Sequence, residues 1–94
     1  MTAAATLLGP LKIDLGITAT AYDTRLTAYI QAAQAQIERE GITLQSSVDD
    51  DTLTIMYAAW MWRKRDTGDG MPRMLRYALN NRLFAQKMEE ADGA

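Results

Sequence analysis

Between Ala21 and Glu40 the apolar residues Tyr22, Leu26, Tyr29, Ile30, Ala33 and Ile37 recur at steps of three and four. That spacing allows one architecture, an amphipathic helix about 30 Å long with a single apolar face. Thr27, Gln31, Gln34 and Glu38 mark the polar face, and alanines at 28, 32, 33 and 35 leave room for a second helix to approach. Thr20-Ala21-Tyr22-Asp23 has the form of a capping box with Asp in place of Glu, and Gly41 closes the segment.

The rest of the chain divides at similar signals. Pro10 suits the first position of a short helix, Pro10 to Leu15, because its missing N–H is not needed there, and Gly16 stops that helix. Residues 42–48 read as a loop whose Ile42 and Leu44 tuck beneath the next element. Ser46, Ser47 or Asp49 can cap the following helix, whose positive N-terminal end suits Asp49-Asp50-Asp51. Leu53, Met56, Tyr57, Trp60, Met61 and Lys64 continue it at helical spacing to about Arg65. After the break Thr67-Gly68-Asp69-Gly70, Pro72 opens a last helix with Leu75, Ala78, Leu79, Leu83 and Gln86 as its stripe. No β-alternation or repeat occurs, so the expected fold is all-α: one small bundle of three main helices plus a short N-terminal helix, in one domain spanning 1–94. Mobile ends are expected at about 1–9 and 88–94.

The inventory restricts the chemistry. There is no His and no Cys, which removes the commonest general base, thiolate nucleophiles and the commonest metal ligands. Consecutive acids on a helix do not share a face, so Asp49–Asp51 reads as a helix start and not as a metal site. No enzyme activity, cofactor or metal is expected. The N-terminus has no basic region followed by a long apolar run, so neither a signal peptide nor a membrane-spanning helix is expected, and the cytoplasm is the default compartment.

What the chain has in surplus is apolar and cationic surface. Both tryptophans, four of six methionines and seven of ten Lys/Arg residues lie between Met56 and Lys87. Trp60 and Trp62 diverge by about 200° on a helix, so one of them either lies under Lys/Arg stems or meets a partner. The methionines form an adaptable packing surface, and Asn80-Asn81 in mid-helix suggests a polar contact across an interface. Arg63, Lys64, Arg65, Arg73, Arg76, Arg82 and Lys87 stand against Asp66 and Asp69. Residues 1–52 carry three Lys/Arg and seven Asp/Glu, whereas residues 53–94 carry seven and five. The candidate interface is therefore Trp60, Trp62, Arg63, Lys64, Arg65, Arg73, Arg76, Asn80, Asn81 and Arg82. A helix-turn-helix over 53–87 is the competing reading, weakened by the net charge of −2.

Leu11-Lys12-x-Asp14-Leu15-Gly16-Ile17-Thr18, Tyr22-Asp23 ahead of Leu26, and Tyr29-Ile30-x-Ala32-Ala33 are followed by Met56-Tyr57-Ala58-Ala59-Trp60, Arg63-Lys64-Arg65, Met71-Pro72-Arg73-Met74-Leu75-Arg76 and Leu79-Asn80-Asn81-Arg82. This order resembles the small head-tail connector, or adaptor, proteins of tailed bacteriophages and prophages. The resemblance implies a virion neck protein made in the host cytoplasm and assembled as a ring of about twelve copies under the portal. Such a ring extends the DNA channel and seats a stopper or tail-completion protein, and genomic DNA passes through it without sequence-specific binding. It also implies termini that rearrange on assembly. Head-to-tail rings need two complementary patches, so Asp23, Glu38 or Asp49–Asp51 of one copy is expected to approach the Arg63–Arg76 region of the next. The alternative is a small prophage-encoded DNA-binding packaging or regulatory protein.

Overall fold

The computed structural model describes residues 1–92, and within them the chain is all-helical with no strand. The helices are α1 (Ala4–Leu15), α2 (Asp23–Arg39), α3 (Val48–Thr67) and α4 (Arg73–Asp92). The helix breaks fall where Gly and Pro place them. Gly16 and Gly68 cap α1 and α3 at φ 71° and 70°, and Gly41 turns the chain at φ 101°. Ile17 N–H donates to Lys12 O at 2.9 Å, which makes the end of α1 a Schellman cap.

α1 is longer than the Pro10–Leu15 segment expected. It begins at Ala4 and carries Pro10 in its interior. An interior proline costs about 3 kcal/mol, but Leu7 and Leu11 are buried and each contributes about 1.5–3 kcal/mol. Burial therefore outweighs the proline, and Gly9, with no Cβ, relieves the usual clash before it. The part of the 1–9 leader from Ala4 onward is thus packed helix. At the other end Gly93 and Ala94, within the expected 88–94 tail, lie outside the described residues, and helix continues to Asp92.

α2 buries Leu26, Ile30, Ala33 and Ile37 as its spacing requires. Two details differ from expectation. Thr20 does not cap it: Tyr22 is the N-cap, without a side-chain bond, and Asp23 instead pairs with Lys12 Nζ at 2.7 Å, joining the starts of α1's last turn and α2. Gln34, expected on the polar face, is buried and donates to Thr2 O at 2.7 Å, because α1 folds back over that side.

Ser47 is the cap of α3, its Oγ accepting from Asp50 N–H at 3.2 Å, and Ile42 and Leu44 are buried beneath the helix as expected. α3 is the central helix and packs against α1, α2 and α4. Its buried residues Leu53, Thr54, Tyr57, Ala58, Ala59 and Trp62 cover more than half of its circumference. The expected stripe through Met56, Trp60, Met61 and Lys64 is therefore its border and not its core. α4 is held mainly by Leu75 and Leu79, its two buried residues, with Leu83 half-buried.

Candidate interaction surface at the α3–α4 corner

The two tryptophans go separate ways. Trp62 is 6% exposed, boxed edge-on by Tyr22 and Tyr29 at 5.6 Å each, with the Arg65 guanidinium 3.6 Å over its ring and bonded to Trp62 O. Trp60 is half-buried at the corner. Tyr57 stands edge-on to it at 5.5 Å, Lys64 Nζ lies 4.3 Å from its centroid, and its Nε1–H donates to Gly70 O at 3.2 Å. That last bond ties Gly70 of the break to α3.

Around Trp60 lies an open groove of about 510 Å³, walled by Met56, Arg63, Lys64, Pro72 and Met74. Arg63 reaches across to the end of α1, donating to Asp14 O at 3.4 Å with the Asp14 carboxylate at 3.8 Å, and both side chains are exposed. The groove therefore joins apolar walls and an indole edge to a mixed rim, with exposed Arg63 and half-buried Lys64 set against the Asp14 and Asp69 carboxylates. That chemistry suits an apolar peptide anchor with a polar surround. Nothing in it forms a nucleophile–base pair.

The remaining cations divide into occupied and free. Arg76 forks onto Glu40 at 2.8 and 3.1 Å, and that carboxylate raises the guanidinium pKa above its ordinary value. Arg82 forks onto Asp50 at 2.7 and 3.1 Å and also donates to Thr43 O at 2.9 Å. Burial would push the Asp50 carboxyl upward, but the hydrogen bonds from Arg82 and from Gln45 N–H, with the Arg82 charge, hold it below its ordinary value. Tyr57, buried and near Glu40, is pushed above its ordinary phenol value. Gln86 completes the tie, accepting from Thr43 N–H at 2.7 Å and donating to Gly41 O at 2.8 Å.

Of the ten candidate interface residues, Trp62, Arg65, Arg76 and Arg82 thus make side-chain contacts away from the groove, whereas Trp60, Arg63 and Lys64 line it while also contacting Gly70, Asp14 and the Trp60 ring respectively. Arg73, Asn80 and Asn81 lie on the exposed side of α4. The carboxylates expected to reach a neighbouring copy are also divided, since Asp23 and Asp50 are engaged internally. Glu38, Asp49 and Asp51 make no ion pair among the described residues. Met74, Tyr77, Phe84 and Met88 form an exposed apolar surface on α4 that was not among the expected interface residues, although with Asn81 their three-four spacing is visible in the sequence. Leu75 and Leu79 had already accounted for the helix's core face.

No family model, curated protein or solved structure matches the chain. Among the described residues no helix is long and apolar enough to cross a membrane, and no cluster of acids is arranged to hold a metal.

Proposed function

We propose that this chain is a non-catalytic head-tail connector of a tailed phage or prophage, acting by protein–protein contact in the virion neck after assembly in the host cytoplasm. The observation that carries the reading is the Trp60 groove: apolar walls around a half-buried indole, with exposed Arg63 and half-buried Lys64 at its rim and no nucleophile–base pair. It adds to the likeness in residue order described above. Three long helices with a shorter leading helix suit a subunit that stacks side by side around a channel. In that ring the groove receives an apolar-tipped segment of the next copy, the portal, or the stopper or tail-completion protein. The free acids Glu38, Asp49 and Asp51 supply the opposite patch for a head-to-tail contact.

DNA passes without being gripped. Arg76 and Arg82 are neutralised by Glu40 and Asp50, which lowers the cationic charge available to phosphate and favours this reading over a helix-turn-helix. The test is reconstitution with the portal of the same phage, imaged for rings at low and high salt. The expected result is portal-bound rings that weaken with salt and are lost in Arg63→Glu/Lys64→Glu. Failure to bind portal, or sub-micromolar sequence-dependent binding of duplex DNA by the isolated chain, would overturn the proposal.

A further inference from the structure

α4 is apolar on two opposite sides. Leu75 and Leu79 face the bundle, while Met74, Tyr77, Phe84 and Met88 are 73%, 54%, 67% and 50% exposed. With Asn81 between them, these five follow the spacing three, four, three, four, which is the seam of a two-stranded coiled coil and not the wider stripe of a core helix. Met74, Asn81 and Met88 take one set of seam positions, and Tyr77 and Phe84 take the other. A single Asn in the first set is the device that favours a two-stranded, in-register pair.

The edges of the seam differ in charge. One carries Arg73, Asn80 and Lys87, and neither Arg73 nor Lys87 makes an ion pair among the described residues. The other carries Ala78, Ala85 and Asp92, bordered by Glu89 and, across a shallow groove, by Asp49 of α3. In a parallel pair the basic edge of each helix lies along the acidic, small-residue edge of its mate, and Lys87 meets Asp92. An antiparallel pair would set basic edge against basic edge.

We infer that the outer face of α4 binds a second copy of this chain, α4 against α4 in parallel and in register, giving a two-fold dimer. Five seam residues from each copy bury on the order of 1,000 Å² in total, at the low end for specific interfaces, the size of a weak, reversible contact. Such a contact is closed: it stops at two copies, and it borders the Trp60 groove only at Met74 and the head-to-tail acids only at Asp49. It stands independently of the neck reading.

The chain lacks cysteine, which makes register directly testable. Met74→Cys and Met88→Cys, prepared separately, each place two thiols opposite one another in a parallel pair, so each is expected to oxidise to a covalent dimer. Light scattering of the wild type from about 1 to about 300 µM should show mass rising toward twice that of the monomer. Phe84→Glu should remain at monomer mass with unchanged helix content, since Phe84 supports no core contact. A wild type that stays monomeric throughout, cross-linking only when Met74→Cys and Met88→Cys are mixed, or a Phe84→Glu variant that still doubles in mass would each overturn the inference. None of those results bears on portal binding, so the two proposals fail separately.

Discussion

Replacing Asp50 by Ala should cost this fold about 3 kcal/mol. The Asp50 side chain is 3% exposed and accepts three hydrogen bonds, from Gln45 N–H at 2.7 Å and from the Arg82 fork at 2.7 and 3.1 Å. Each bond to a charged group is worth about 1.5–3 kcal/mol, but the Arg82 side chain is 21% exposed and water recovers part of its share. Gln45 N–H loses its partner, and Arg82 keeps only Thr43 O and Gln86. In a chain of this length the loss should lower Tm by roughly 15 °C. Urea denaturation followed by circular dichroism, on Asp50→Ala, Arg82→Met and the double variant, isolates the pair. The expected coupling energy is about 2 kcal/mol. A value below about 0.5 kcal/mol would place the pair with ordinary surface ion pairs and refute the claim that it clamps α4 to the 41–47 loop.

The same pair sets an acid dependence. Because the folded-state pKa of Asp50 lies below its unfolded value, its stabilisation is present above about pH 4 and is lost as pH falls through the folded value. The stability gap between wild type and Asp50→Ala should therefore narrow below pH 4, and a gap that widened there would contradict the assignment. Pro10→Ala should raise the urea midpoint by an amount equivalent to about 1–2 kcal/mol, since the new N–H restores a bond inside α1. A lower midpoint would show that the ring is held by packing. Trp62→Ala should destabilise by about 3–5 kcal/mol, whereas Trp60→Ala, at the groove, should cost clearly less. Equal losses would mean that the two indoles are equally part of the core.

Local chemistry made the helices legible. Gly16, Gly41 and Gly68 end three elements at positive φ, Ser47 caps α3, and the spacing of Leu26, Ile30, Ala33 and Ile37 marks the core face of α2. These signals act within one or two turns, so the order of residues alone carries them. Candidate site residues were legible as a cluster, Trp60 with Arg63 and Lys64, but not as a division between free and occupied groups.

That division belongs to the tertiary structure. Asp50 meets Arg82 across 32 residues and Glu40 meets Arg76 across 36, and no local pattern says which carboxylate will lie under which guanidinium when the chain returns. The burial of Trp62 in preference to Trp60 has the same origin. Periodicity gives α3 one apolar stripe, but three helices packed around it enlarge and rotate the face removed from water. Pro10 sits in mid-helix for a related reason: the propensity penalty is local, and the burial of Leu7 and Leu11 that exceeds it exists only once α1 lies against its neighbours.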